Sequence, residues 1–198
     1  DVCSSDLNMN KQTMKVGRLE IILGPMFSGK SAELIRIINR YECIGKNILT
    51  ITHSIDTRYG EGVISSHNRV QKKSICLESL SSILDSKEYS ESEIIIVEEG
   101  QFFQDLKQFV IRATDKDNKH VIVAGLSGDF RREPFGQILE IIPMAEQITK
   151  LSAFCKLCND GTPGDFSKRI ELDSKEQTLV GNDNYYVAVC RKHYLESK

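Results

Sequence analysis

The sequence predicts an α/β fold, in which a parallel sheet is covered by helices on both faces. Uninterrupted apolar segments of strand length recur along the first two thirds of the chain, as is typical of strands that are buried on both sides. Segments with the apolar spacing of helices lie between them. Because parallel strands need crossover connections, this alternation indicates a parallel sheet.

The first predicted strand covers residues 19–24 and runs directly into a loop with two glycines. A helix is predicted to begin near Lys30, since apolar side chains recur at i, i+3, i+4 and i+7 over residues 34–41. Gly45 is expected to end this helix, because glycine readily takes the left-handed conformation that follows a helix C-terminus.

Three more strands are predicted at residues 47–52, 93–100 and 120–126. A long loop or hairpin is expected over residues 53–74, where glycines and polar side chains dominate. Between residues 103 and 113 the apolar spacing marks one face of a helix. The predicted elements therefore follow the strand–crossover–strand order of a parallel sheet.

Composition favours a folded protein with a small ligand. The chain has 198 residues, of which 40% are hydrophobic and 27% charged, and its net charge is −2. A protein that grips DNA or RNA usually has a basic excess, so no polymeric nucleic acid is expected as a partner. No apolar run reaches the length of a membrane span and no secretory signal precedes the first strand. We therefore expect a cytoplasmic location and no membrane partner.

Changes in amino-acid composition along the chain predict three regions. Residues 1–14 are expected to be a flexible lead-in, and residues 15–150 to form the main α/β domain. After residue 150 the chain is rich in Gly, Asp and Asn and carries paired cysteines. Residues 151–198 are therefore predicted to form a small second domain.

Residues 24–31 read GPMFSGKS, which fits the phosphate-binding pattern G-x-x-x-x-G-K-S in every position. The glycines let backbone N–H groups turn toward phosphate oxygens, and the following helix directs its positive end to the same place. Lys30 can reach the outer phosphates, and the Ser31 hydroxyl can hold Mg²⁺. ATP is the expected ligand, because no guanine-reading Asn-Lys-x-Asp segment is evident. The predicted nucleotide-binding residues of this loop are Gly24, Pro25, Met26, Phe27, Ser28, Gly29, Lys30 and Ser31.

Glu98 and Glu99 end the third predicted strand, at the sheet edge where parallel sheets bind ligands. Phosphoryl transfer to an alcohol needs Mg²⁺ beside the triphosphate and a group that accepts the alcohol proton. Since adjacent strand residues point to opposite faces, one glutamate is expected to orient Mg²⁺ and the other to face the acceptor hydroxyl. The alternative is that one or both are solvated residues at a strand exit.

Cys155, Cys158, Cys190 and His193 form two short-spaced pairs, C-x-x-C and C-x-x-H. Each pair can offer two ligands to one tetrahedral ion, as in structural Zn²⁺ sites. Four protein ligands leave no open position for chemistry, so the expected role is folding, with the segment between the pairs tied at its base as a lid. Disulfides or free thiols are the alternative.

The motifs together resemble the zinc-containing type II thymidine kinases. The matching segments are GPMFSGKSAELIRI, DTRYG, EEGQFF, RREPFG and the two cysteine-containing pairs. The resemblance covers nearly the whole chain, from about residue 17 to residue 193. It implies a P-loop α/β domain with a zinc-anchored lasso loop, and transfer of the γ-phosphoryl group of ATP to the 5′-hydroxyl of thymidine or deoxyuridine. It also implies a homotetramer and feedback inhibition by thymidine triphosphate.

The resemblance further implies roles for single residues. Glu99 matches the catalytic base that accepts the 5′-OH proton, and Glu98 stands where the family commonly has Asp near Mg²⁺. Asp56 and Arg58 match a pair that works near Mg²⁺ and the phosphates. The positions that match the thymine site are Met26, Phe102, Leu126, Phe130, Phe135, Ser167, Leu179, Gly181 and Tyr186. The matching zinc ligands are Cys155, Cys158, Cys190 and His193. Without the resemblance, the three phenylalanines of this set would be interpreted as core residues.

Two other functions are compatible with these motifs. One is a P-loop ATPase whose zinc ribbon binds nucleic acid or a protein partner, although the near-neutral charge opposes it. The other is a kinase of a different nucleoside.

Overall fold

The computed structural model describes residues 16–56, 62–65, 70–170 and 185–196. The predicted lead-in at residues 1–14 lies outside these ranges. The strands, in chain order, are β1 (Arg18–Leu23), β2 (Ile48–His53), β3 (Val63–Ser65), β4 (Gln71–Lys73), β5 (Ile75–Leu77), β6 (Ile94–Val97), β7 (His120–Gly125), β8 (Gln147–Lys150), β9 (Ala153–Phe154), β10 (Pro163–Gly164), β11 (Phe166–Arg169) and β12 (Tyr186–Val189).

Four α-helices accompany the strands in the described ranges: α1 (Lys30–Glu42), α2 (Lys87–Glu91), α3 (Leu106–Ile111) and α4 (Arg191–Leu195). The helix α3 continues as a π-helical turn over Arg112–Lys116. Short 3₁₀ turns lie at Leu80–Ile83, Gly100–Phe102 and Ile142–Met144. As predicted, α1 begins at Lys30, and Gly45, with φ of 69°, turns the chain after the helix has ended.

Six of the strands form one sheet in the order β5-β2-β6-β7-β1-β8. Every neighbouring pair in this sheet is parallel. The predicted α/β fold with a parallel sheet is therefore confirmed. Strands β1, β2 and β7 lie within one residue of their predicted positions, whereas β5 and β8 were not predicted.

Two apolar cores, one on each face of the sheet, hold the helices against it. Alternate strand residues point to opposite faces, so Ile21 and Val123 enter the first core, while Ile22 and Ile122 enter the second. The first core also contains residues of α2 and α3, and the second contains residues of α1. Helices therefore cover both faces, as predicted.

The segment between β2 and β5 contains an antiparallel hairpin of β3 and β4. The Ile64 side chain of β3 is fully buried in the second core, beside α1. Lys72 of β4 forms an ion pair with Glu42 at the end of the same helix, with the charged atoms 2.6 Å apart. The hairpin is thereby packed against α1.

The chain after β8 forms small two-stranded sheets. Strand β9 pairs with β10, and β11 pairs with β12, both in antiparallel register. Helix α4 follows β12 directly and makes contacts with β11 and β12. None of the helices in the described part of the chain has the length and apolar character that a bilayer crossing requires.

Candidate active site and metal centre

The parallel sheet brings the predicted site residues to a single edge, because the carboxyl ends of its strands all lie there. Strand β1 leads into residues 24–31, β6 leads into Glu98 and Glu99, and β7 leads into Leu126. Since β7 lies between β1 and β6, the strands that lead into the phosphate loop and into the glutamates are two strand spacings apart, about 10 Å. Asp56 follows β2, on the other side of β6.

The phosphate loop is a tight turn whose backbone needs its glycines. Gly29, which immediately precedes α1, has φ of 86°. A Cβ atom at Gly24 would collide with the Ser28 hydroxyl and would lie 2.9 Å from the carbonyl oxygen of Leu151. Phe27 also has a positive φ of 66°, a conformation that costs an L-residue about 1–2 kcal/mol. Close packing therefore excludes a side chain at Gly24, whereas at Gly29, where a Cβ atom would have open space, the left-handed backbone is what favours glycine.

Lys30 lies inside the loop. Its side chain is only 8% exposed, and its Nζ donates a hydrogen bond of 3.0 Å to the carbonyl oxygen of Pro25. The ammonium group thus lies over the backbone turn whose N–H groups bind phosphates in loops of this kind. Ser31 follows in the first turn of α1, at the positive end of the helix.

A hydrogen bond joins the phosphate loop to the C-terminal sheets. The backbone N–H of Met26 donates to the Ser167 hydroxyl of β11 over 3.0 Å. Both residues belong to the predicted thymine site, and the structure brings them together. The bond also shows that part of the C-terminal region packs directly on the loop.

Glu98 and Glu99 lie in a bend after β6, which ends at Val97 rather than at residue 100. The prediction that they lie within the strand is therefore wrong, and strand alternation gives no reason to place them on opposite faces. Glu99 has φ of 51° and ψ of 45°, a left-handed conformation that ends the strand. Both side chains are buried, with 7% of Glu98 and 8% of Glu99 exposed. This burial excludes the alternative that one or both are solvated residues at a strand exit. Buried carboxylates need polar partners.

Gln101 is a residue of this site to which the sequence patterns assign no role. Its Nε2 donates to Glu99 Oε2 over 2.6 Å, and its Oε1 accepts from the backbone N–H of Leu126 over 3.0 Å. Only 1% of the residue is exposed. Its position in EEGQFF is the one signal that the sequence offers, since a contact across 25 residues leaves no local pattern.

Two of the predicted thymine-site phenylalanines face each other. The rings of Phe102 and Phe135 have centroids 5.6 Å apart and are nearly perpendicular, at 86°, which is a favourable edge-to-face pair. His53 packs against Phe102 from β2, with ring centroids 5.8 Å apart. Burial lowers the pKa of His53, although the carboxylates of Glu78 and Asp105 act in the opposite direction. Burial against Phe102 therefore favours the neutral imidazole.

A second group of predicted residues surrounds Arg169. Its guanidinium lies 3.8 Å from the centroid of the Phe130 ring, and its Nη2 donates to the Tyr186 hydroxyl over 2.6 Å. Arg169 is 6% exposed and Tyr186 is 8% exposed. The arginine therefore fixes two predicted thymine-site residues relative to each other. Arg58, Leu179 and Gly181 lie outside the described residues.

The four cysteine and histidine residues converge, with their ligand atoms all within 4.8 Å of one another. His193 Nδ1 lies 3.4 Å from the sulfurs of Cys155 and Cys158 and 3.5 Å from that of Cys190. The sulfurs of Cys158 and Cys190 are 3.8 Å apart. A tetrahedral zinc ion with Zn–S of about 2.3 Å and Zn–N of about 2.05 Å requires edges of about 3.8 Å and about 3.5 Å. The donor set and its spacing thus fit zinc.

A disulfide does not fit this cluster. The described cysteines, at positions 43, 76, 155, 158 and 190, all have free thiols, and a disulfide would need sulfurs about 2.05 Å apart. Burial disfavours the Cys155 thiolate, but backbone N–H donors from Cys190 and Cys158 outweigh it and lower the pKa of Cys155 to about 6. A thiolate is the form that binds metal.

The metal centre is linked to the loop that follows β7. Tyr194, next to the ligand His193 in α4, donates its hydroxyl to the carbonyl oxygen of Phe130 over 2.8 Å. The guanidinium of Arg132 lies 4.5 Å from the centroid of the Tyr194 ring and 5.9 Å from that of Phe166. Helix α4 therefore contacts the backbone of Phe130 directly.

The fold and the site together define a P-loop α/β protein with a cysteine–histidine cluster near its C-terminus that could hold a metal ion. A family model described as thymidine kinase matches residues 17–194. The chain belongs to the thymidine kinase family, and the resemblance predicted from the sequence is confirmed.

Several curated relatives support this assignment. The chain is 41% identical over 183 residues to a thymidine kinase of rabbit fibroma virus (strain Kasza), covering 92% of this chain and 99% of that protein. It is 40% identical over 184 residues to a thymidine kinase of vaccinia virus (strain Western Reserve), covering 93% and 100%. It is 38% identical over 194 residues to a thymidine kinase of Oryza sativa subsp. japonica, covering 96% and 70%. These matches do not favour the alternative of a P-loop ATPase with a nucleic-acid-binding zinc ribbon.

Proposed function

We propose that this protein is an ATP-dependent thymidine kinase, which transfers the γ-phosphoryl group of ATP to the 5′-hydroxyl of thymidine or deoxyuridine. One observation carries the proposal. In a chain of the thymidine kinase family, a phosphate loop with a buried lysine and a buried glutamate, Glu99, lie at the same edge of a parallel sheet. A triphosphate and a proton acceptor are the two parts that phosphoryl transfer to an alcohol needs.

The phosphate loop would bind the triphosphate. Its backbone N–H groups and the N-terminus of α1 favour anionic oxygens. Lys30 would give up its bond to Pro25 and neutralise charge on the outer phosphates. The oxygen donors Ser31, Asp56 and Glu98 would hold Mg²⁺, which neutralises charge between the outer phosphates when bound.

Glu99 would act as the general base toward the 5′-hydroxyl. A carboxylate within hydrogen-bond reach of an alcohol can accept its proton as the oxygen attacks phosphorus. Burial of Glu99 excludes competing water from this position. The thymine would lie near the crossed rings of Phe102 and Phe135 and the backbone of Leu126, beside Met26 and Ser167. Phe130 and Tyr186, held by Arg169, would complete the contacts on the C-terminal side.

The cysteine–histidine cluster would hold one structural Zn²⁺ per chain. The ion would join the segment containing Cys155 and Cys158 to the start of α4, and would stabilise residues 151–198 as a small domain with a lasso loop. We extend the proposal to the family features that the resemblance implies. These are a homotetramer, thymidine triphosphate as a feedback inhibitor and a cytoplasmic location.

The direct test measures thymidine monophosphate formed from ATP, Mg²⁺ and thymidine. Glu99→Gln is expected to lower kcat about 10²- to 10⁴-fold, because the amide cannot accept the proton. ATP binding by the variant should stay within about twofold of wild type, since Glu99 is not part of the phosphate loop. Glu88→Gln is the matched control, because Glu88 is exposed on α2. A Glu99→Gln variant with near-normal kcat would show that another group is the base.

A comparison of nucleosides tests the substrate. We expect kcat/KM to be highest for thymidine, followed by deoxyuridine, and much lower for deoxycytidine, whose amino group reverses the donor and acceptor pattern of the base edge. A preference for deoxycytidine would favour a kinase of another nucleoside.

A further inference from the structure

The carboxamide of Gln101 is held between two parts of the proposed site. It donates to the Glu99 carboxylate, with Nε2 and Oε2 2.6 Å apart, and it accepts from the Leu126 backbone N–H over 3.0 Å. The residue is 1% exposed, so solvent does not compete for either bond. Glu99 precedes Gln101 by two residues, whereas Leu126 immediately follows the neighbouring strand, β7.

The orientation of this carboxamide is determined by its partners. A backbone N–H can only donate, so the atom that faces Leu126 must be the amide oxygen. The NH₂ group therefore faces Glu99, which must accept. This arrangement favours the ionised carboxylate, because a hydrogen bond donated to a charged form stabilises that form.

Two glycines make room for Gln101. A Cβ atom at Gly125 would collide with the amide oxygen, and a Cβ atom at Gly136 would collide with the backbone carbonyl of Gln101. Gly136 belongs to the RREPFG segment, and Gly125 is the last residue of β7. Gly125 thus packs against the side chain of Gln101 and Gly136 against its backbone, so two other segments restrict the position of this residue.

We propose that Gln101 is a positioning residue for Glu99. Its NH₂ group fixes the rotation of the Glu99 carboxylate and favours the ionised form that can accept a proton. Its bond to Leu126 fixes that carboxylate relative to the backbone beside the nucleoside. The inference rests on the proposed function, in which Glu99 is the general base.

Gln101→Glu is the sharpest variant, because it changes one of the two bonds and preserves the volume. One carboxylate oxygen still accepts from the Leu126 N–H, while the other meets Glu99 at a distance at which two carboxyl groups share a proton. The shared proton blocks the base. We expect kcat to fall about 10²-fold at pH 7.5 and the acidic limb of the kcat profile to move to higher pH. The KM for thymidine should change less than about threefold, since no contact to the nucleoside is removed.

Gln104→Glu is the matched control. Gln104 is exposed three residues further along, so the same change in charge should leave kcat and its pH profile as in wild type. Gln101→Met serves if Gln101→Glu does not fold, because methionine preserves volume and removes the donor. It should also move the acidic limb to higher pH, and an unchanged limb in both Gln101 variants would overturn the inference.

A double variant separates positioning from structure. In Glu99→Gln/Gln101→Glu, the amide at position 99 can donate to the carboxylate at position 101. The Tm of the double variant should therefore be higher than that of Gln101→Glu alone. Its kcat should equal that of Glu99→Gln, because a residue that acts only through the base adds no further loss. Losses that multiply would show that Gln101 acts independently of Glu99, against the inference.

The two proposals fail in different ways. Near-normal kcat in Glu99→Gln would show that Glu99 is not the base, and Gln101 would then have no base to position. A large loss in Glu99→Gln together with wild-type kcat and pH profile in Gln101→Glu would refute the positioning role alone.

Discussion

Gly136 is the position at which a single added methyl group should be most costly near the site. Its φ is +57°, and a Cβ atom there would collide with the Gln101 carbonyl oxygen and lie 3.0 Å from the Gln101 Cα. Gly45 has a similar φ of +69°, but a Cβ atom at Gly45 would have none of the described residues within 4 Å beyond its chain neighbours. A comparison of alanine substitutions at Gly136 and Gly45 therefore separates the cost of the left-handed backbone from the cost of the steric collision.

We expect Gly136→Ala to lower the free energy of unfolding by at least about 2 kcal/mol more than Gly45→Ala. Left-handed alanine costs about 1–2 kcal/mol at either position, so the difference measures the collision with backbone, which cannot rotate away. Urea denaturation of both variants gives the two values. Equal losses would show that the segments around Gln101 can move apart, and that its position is less constrained than the contacts indicate.

Motif spacing predicts single residues well when their partners are close in sequence. The pattern of residues 24–31 is sufficient to place Lys30 and Ser31, and the spacing of the cysteine pairs is sufficient to predict a four-ligand cluster. The bonds from Gln101 to Leu126 and from Met26 to Ser167 join residues 25 and 141 positions apart. Such contacts depend on strand order, which no local pattern encodes.

Among the secondary-structure elements, the degree of burial explains which strands the sequence predicts. Strands β1, β2 and β7 are central or near-central and read as apolar runs, whereas β8 is an edge strand whose residues are mostly exposed. The predicted strand over residues 93–100 is too long, since β6 ends at Val97. Apolar periodicity reports burial and contains no information about the left-handed turn at Glu99 that ends β6.

Lys119 holds the end of α2 against the start of β7. Its buried ammonium donates to the carbonyl oxygens of Tyr89, Ser90 and Ser92 over 2.7, 3.1 and 2.6 Å. Carbonyls at a helix C-terminus have no partner within the helix. The Lys119 side chain therefore donates to three carbonyl oxygens in the last turn of α2 and just beyond it.

Lys119→Met should lower the free energy of unfolding by about 3 kcal/mol, because the buried carbonyls lose a charged donor. Lys116→Met is the control, since Lys116 is exposed nearby, and it should change stability by less than about 0.5 kcal/mol. The kcat of folded Lys119→Met should match wild type, as the residue lies far from the carboxyl ends of the strands. A loss equal to that of the control would mean that water replaces the ammonium without cost.

Tyr194 joins helix α4, which carries His193 of the cysteine–histidine cluster, to the loop that carries Phe130. Tyr194→Phe removes one hydrogen bond of 2.8 Å and leaves the ring stacked beneath Arg132. We expect the KM for thymidine to rise about fivefold with kcat nearly unchanged, since the bond supports a binding residue and is worth about 1 kcal/mol. Tyr185→Phe, at an exposed position, should leave both constants unchanged. A fall in kcat without a change in KM would instead connect Tyr194 with the chemical step.

For the whole molecule, we expect apolar burial to stabilise the large sheet and metal ligation to stabilise the small sheets that follow β8. The sheet and its helices bury apolar cores on both faces, which is sufficient for a domain of this size. The small sheets after β8 have few buried apolar residues and expose Phe154, Leu157 and Ile170. Short two-stranded sheets are marginal in water, so metal ligation is the expected source of their stability.

Removal of the metal should therefore loosen one part of the molecule and leave the other intact. We expect about one zinc per chain by elemental analysis. Chelation under reducing conditions should increase amide hydrogen exchange in β9 to β12 and α4, while β1, β6 and β7 remain protected. The KM for thymidine should rise more than that for ATP, because Ser167 and Tyr194 connect the loosened part to Met26 and Phe130. Cys158→Ala should reproduce these effects and Cys43→Ala, at an exposed cysteine, should not. Protein that contains no zinc, or whose exchange in β9 to β12 is unaffected by chelation, would show that these sheets are stabilised without the metal.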